Sequence, residues 1–175
     1  MTTRRLPLVE RDAILRAMKP IALLFVLCFA RVASAEPVAF TQLRSLVGSW
    51  EATSTKGSTI QVSYRLTANE SVLVEEWMPG SSRATLTVFH SDKKRVIATH
   101  YCSQGNQPRL QLNAGSTADR WVFTYFDATN LSPGAAHLVR LEFALDGAAQ
   151  LVKTETYDEG GKPDVTVLRF HRVRK

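Results

Sequence analysis

From residue 59 onward the chain repeats one pattern. Short runs of alternating apolar and polar residues are broken by Gly, Asn, Asp or Pro about every ten residues. The clearest run is TIQVSYRLT (59–67), with Ile60, Val62, Tyr64 and Leu66 on one side and Gln61, Ser63, Arg65 and Thr67 on the other. A period of two is a strand with one buried and one wet face. The turn signals KGS (56–58), NES (69–71), PGSS (79–82), SDKK (91–94), QGNQP (104–108), NAGSTAD (113–119), DGAA (146–149) and EGGKPD (159–164), with the longer loop DATNLSPGAA (127–136), make nine breaks and therefore ten strands. Ten sequential antiparallel strands in one small domain must manage their edges, and closure into an up-and-down β-barrel removes them. A sandwich needs longer crossovers than most of these loops supply. Ahead of the strands, EPVAFTQLRSLV (36–47) spaces Phe40, Leu43 and Leu46 or Val47 for one brief helix.

Turn positions fix register. Tight turns centred on Asn69/Glu70, Gly80/Ser81 and Asp92/Lys93 set Tyr64 opposite Glu75, Glu75 opposite Leu86, and Leu86 opposite Thr99. The same face then collects Val62, Leu66, Leu73, Trp77, Val88, Ile97 and Tyr101. It is apolar apart from Glu75, Thr99 and two tyrosine hydroxyls, so it is expected to be the interior. A one-residue slip turns such a set outward. Trp121, Phe123, Tyr125, Val139, Leu141, Phe143, Val152 and Thr154 are expected to complete the wall.

The N-terminus has a different character. IALLFVLCFA (21–30), with Lys19 before it and ASA (33–35) after it, fits a secretory signal peptide over 1–35, leaving 36–175 as a single domain that is exported, periplasmic or secreted. The apolar run is shorter than the roughly 20 residues that span a bilayer, so no stable membrane anchor is expected. The full sequence carries 22 Lys+Arg against 16 Asp+Glu; the first 35 residues hold six and two of these, so residues 36–175 carry 16 against 14. The basic balance belongs largely to the leader, which argues against a nucleic-acid partner. Beyond the leader only Cys102 is left, so no intramolecular disulfide is available to the domain.

Where the helix meets the first strand stands LVGSWEA (46–52). Its Gly48-Ser49-Trp50 resembles the G-x-W signature of lipocalins and the wider calycin barrels. The resemblance implies a tryptophan at the closed end of the barrel beneath a basic side chain from the last strand, here Arg169 or Arg172 in LRFHRVR (168–174), with Arg169 taken as the barrel-closing partner. VEEWMPG (74–80) followed by HYCSQGNQPR (100–109) is similar to an exported bacterial lipocalin-like family. A weaker similarity to nitrobindin, a ten-stranded haem barrel, rests on Gly48, Trp50, His171 and Arg174, and would make His171 the axial candidate; the residues of a haem pocket between those ends are not recognisable. No cofactor is therefore assigned.

Glu75 is the most informative polar residue. A carboxylate inside an apolar barrel costs several kcal/mol unless it is paired, so a partner is required, with Tyr64, Tyr101 and Arg109 as candidates. Glu76 replaces it if a bulge intervenes. His100 and Cys102 fall on the face opposite Tyr101 and so point outward, which leaves no converging set of metal ligands. QGNQPR (104–109) reads as a turn ending at Arg109 on the rim. No Ser/His/Asp order, P-loop or paired-carboxylate motif stands out, and DEGGKPD (158–164) lacks calcium-loop spacing, so no catalytic residue is assigned. The expectation is a barrel that binds a small, partly apolar molecule through Tyr64, Glu75, Trp77, Tyr101 and Arg109. A haem-binding or enzymatic barrel, and a packed barrel acting as an envelope interaction module, stay open as alternatives, as does oligomeric state.

Overall fold

A computed structural model describes residues 37–174. The proposed leader, 1–35, lies outside the described residues. Helix α1 (Val38–Leu43) runs into a 3-10 turn (Arg44–Leu46). Ten strands follow: β1 (Gly48–Thr53), β2 (Thr59–Thr67), β3 (Val72–Trp77), β4 (Thr85–Asp92), β5 (Arg95–Tyr101), β6 (Gln107–Leu112), β7 (Arg120–Thr129), β8 (His137–Asp146), β9 (Gln150–Asp158) and β10 (Pro163–Arg172). Each pairs antiparallel with its sequence neighbours, and β1 meets β10 to close the barrel.

Because the strands run up and down, one end of the barrel collects the chain entering from α1 and the other collects Thr53, Thr59, Trp77, Thr85, Tyr101, His137 and Pro163. The helix end is closed. Phe40 and Leu43 from α1, Leu46 from the 3-10 turn and Trp50 are all fully buried there. Deeper in, Phe89, Phe123 and Phe143 meet edge to face at centroid distances of 5.5, 5.9 and 6.4 Å, the geometry aromatic rings prefer.

The Gly48-Ser49-Trp50 motif has a local physical cause. Trp50 Nε1 donates to the Leu46 carbonyl at 2.8 Å, and the Arg172 guanidinium lies 4.0 Å from the indole centroid. Arg172 also donates to the carbonyls of Val47, Ser45 and Ala148, tying the last strand to the helix connection. Gly48 sits at φ +129, and a Cβ there would stand 2.9 Å from Arg172 Nη1. Glycine takes that φ without strain and leaves the guanidinium its place. The arginine over Trp50 is thus Arg172; Arg169 is exposed, because the inward residues of β10 near its end are Phe170 and Arg172.

Register departs from expectation at one turn. Tyr64 does face Glu75, but Glu75 faces Thr87, not Leu86. The connection after Trp77 is not a two-residue turn on Gly80/Ser81; it runs from 78 to 84 and is built on two successive turns, Ser81 N–H to the Met78 carbonyl and Ala84 N–H to the Ser81 carbonyl. That odd count rotates β4 by one residue. The next turn centres on Lys93/Lys94, with Lys93 at φ 58, and keeps the new parity. Phe89, Val96 and Ala98 therefore take the inner places expected for Val88 and Ile97. Further along, bulges between Arg109/Leu110 and between Leu138/Arg140 shift register again. The bulge in β8 sets Leu138 inside instead of Val139, and the three-residue turn 147–149, which pairs Asp146 with Gln150 and Phe143 with Lys153, sets Leu151 and Lys153 inside instead of Val152 and Thr154; Tyr125 ends up 40% exposed.

Candidate functional site

The slip at β3/β4 decides which side chains meet. In one row across three strands stand Glu75, Thr87 and His100, each buried. Lys153 reaches them from β9, across the barrel. Its ammonium is 2.9 Å from Glu75 Oε1 and 2.8 Å from Glu155 Oε1, and it lies 4.4 Å from the centroid of Trp77. Tyr64 donates its hydroxyl to Glu75 Oε2 at 2.6 Å, and Thr87 donates to Oε1 at 3.0 Å. His100 Nδ1 is 3.0 Å from Thr87 Oγ1, and Nε2 is 3.1 Å from the Tyr157 hydroxyl.

These contacts set the protonation pattern. Burial pushes the Glu75 carboxyl up, but the Lys153 charge and the hydrogen bonds from Tyr64 and Lys153 outweigh it and hold the group below its ordinary value. Burial likewise pushes Lys153 down, and the two carboxylates raise it above its ordinary value. Both stay charged. His100 is held low, by burial first, and is therefore a neutral imidazole near pH 7. Since Thr87 spends its proton on Glu75, its oxygen accepts from His100 Nδ1–H; Nε2 then accepts from Tyr157. Burial, then the charge of Glu155, pushes the Tyr157 phenol upward, so it too remains a donor. Tyr64 is raised for the same first reason, with Glu75 adding to it.

A cleft of about 570 Å³ opens beside this cluster. The β1 strand stops at Thr53 and pairs with β10 only at Trp50↔Arg172 and Glu51↔His171, so the wall between β2 and the first half of β10 is parted. Ile60, Trp77 and Leu168 line the cleft, with Thr166 beside them and Lys56 and Arg83 around them. Leu168 is the register partner of Lys153 and Thr166 that of Glu155, which places the charged interior directly behind the cleft wall.

The sequence-selected residues divide. Tyr64, Glu75 and Trp77 come together; Glu76 lies outside, ion-paired to Arg65 at 3.2 Å. Tyr101 does not join them. It is 46% exposed on the outer face, because the β4 rotation sends His100 inward in its place. Arg109 is also on the outer wall, ion-paired to Asp127 and 5.7 Å from the Phe126 ring centroid. His171, the axial candidate of the haem alternative, is exposed on the outside of β10; the interior histidine is His100. Cys102 is half-buried just beyond β5. Among the described residues no group of three or more His, Cys, Asp or Glu side chains is placed to hold a metal ion. Sequence reasoning missed Lys153, Glu155, Thr87 and Tyr157. The one available signal was Lys153 itself, a charge amid the alternation of QLVKTETYD (150–158).

No known protein family matches the chain, and no curated protein does. Among solved structures, the crystal structure of Rv2717c from M. tuberculosis is similar at a TM-score of 0.53 and 15% sequence identity, over 78% of this chain and 98% of that one. At that identity the likeness is one of fold. What this chain shares with it is a β-barrel.

Proposed function

We propose that this is an exported, lipocalin-like barrel that binds a small, partly apolar molecule in the cleft between β2 and β10. The observation that carries the reading is the cleft itself. Its volume lies in the range of small-molecule sites, it has Trp77, Ile60 and Leu168 as apolar surface, and fixed charges stand behind one wall. An apolar surface with a few placed polar groups is how such sites combine affinity with orientation. Kinship with lipocalins rests on Gly48, Trp50 and the arginine over the indole, and export rests on the leader.

Nile red, a neutral apolar dye, tests the reading. Titrated into the protein, it is expected to brighten saturably, and Leu168→Trp, which fills the cleft, is expected to weaken binding at least about tenfold, the scale of about 1.4 kcal/mol. No saturable binding by the unaltered protein, or unchanged binding by Leu168→Trp, contradicts it.

A further inference from the structure

We propose that the ligand of this cleft carries a protonated amine, which pairs with Glu155. The inference rests on the small-molecule reading above and adds the charge of the ligand's inner end.

The interior is electrically unbalanced. Glu75 and Glu155 share one ammonium, that of Lys153, and the neighbouring imidazole is neutral, so the cluster carries one surplus negative charge. The two carboxylates are not equivalent. Glu75 is fully buried and accepts from Tyr64, Thr87 and Lys153, which leaves it no access to a ligand. Glu155 contacts Lys153 alone among the hydrogen bonds and ion pairs of the described residues, and its side chain stays 16% exposed. Lys153 divides its charge between the two carboxylates, with one close contact to each, and sits over Trp77.

Glu155 stands one strand behind the cleft lining, and Thr166 is what separates it from the cleft. Glu155 faces Thr166 on β10 and Leu141 on β8; Leu141 is core and Thr166 lines the cleft. The opposing cations, Lys56 and Arg83, line the cleft but are exposed, where water and salt screen them. A carboxylate withdrawn from water beside a cleft is stabilised by a cation that brings its own donors. The apolar remainder of such a ligand would rest on Trp77, Ile60 and Leu168.

Matched probes decide the question. Phenethylamine and 3-phenylpropionate carry the same ring and two-carbon linker with opposite charges, and each can be titrated against bound Nile red. The amine is expected to displace the dye at a concentration about tenfold or more below that of the carboxylate, the scale of one charge-assisted hydrogen bond. Glu155→Gln is expected to lose the preference, the two probes then displacing the dye at similar concentrations. Should Glu155→Gln fail to fold, Thr166→Lys, at an exposed position, supplies an ammonium to Glu155 from within and is expected to abolish the preference in the same way. Equal or reversed displacement by the unaltered protein, displacement by neither probe, or a preference that survives these substitutions overturns the proposal. Failure of Nile red to bind at all would instead remove the small-molecule reading, and this inference with it.

Discussion

The two ends of the barrel solve the interior differently. At the helix end, Phe40, Leu43, Leu46 and Trp50 pack beneath a lid of backbone carbonyls gathered by Arg172. Toward the other end, the same cylinder holds Glu75, Lys153, His100 and Tyr64, all buried, beside a parted wall. Apolar packing is the direct source of stability, at about 25 cal/mol per Å². A buried ion pair is not, because desolvation offsets most of the Coulomb attraction. Charged groups kept inside beside a cleft therefore suit a role in recognition better than a role in holding the barrel together.

Several substitutions sharpen that contrast. Phe123→Ala, in the aromatic layer, is expected to cost about 3–5 kcal/mol in urea unfolding. Lys153→Met is expected to cost a similar amount, about 3–5 kcal/mol, for the opposite reason, since it strands Glu75 in the dry interior. The pair separates under a second change: Lys153→Met combined with Glu75→Leu should recover the share of the loss that the stranded Glu75 causes, whereas no polar partner can rescue Phe123→Ala. If the double variant is no better than the single, the ion pair is structural and the contrast between the ends breaks down.

Smaller effects follow at the closing motif and in acid. Gly48→Ala forces a positive φ on alanine and a contact with Arg172, so a loss of about 1–3 kcal/mol is expected, read from thermal unfolding. His100 is held below its ordinary value near 6.5. The unfolded chain therefore takes up a proton that the folded protein refuses, and stability falls as pH drops through 6.5, by up to about 1.4 kcal/mol per pH unit. Glu75, held low by Lys153 and Tyr64 against its burial, adds a second loss as pH falls below about 4.5. Urea midpoints measured from pH 8 to about 3 should show both phases, and His100→Gln should remove the upper one alone.

How much of this was legible in the sequence depended on distance along the chain. The helix, the strands and the Tyr64–Glu75 pair follow from alternation and from one tight turn at Asn69/Glu70, all within a few residues of one another. Tyr101 and Arg109 were misplaced because parity is inherited from strand to strand. One odd connection after Trp77 exchanged Tyr101 for His100, and nothing in PGSS announces that count. Arg109 pairs with Thr99, which the same change of parity turned outward. Lys153 meets Glu75 across 78 residues and the width of the barrel. No local pattern encodes such a contact; only closure of the sheet brings it about.

If the parted end receives a ligand and the helix end does not, hydrogen–deuterium exchange with and without saturating Nile red will separate the two ends. Exchange is expected to slow in residues 59–60, 77–78 and 165–168, with residues 40–50 unchanged. Protection centred on residues 40–50, or none despite saturation, would show that the ligand does not enter between β2 and β10.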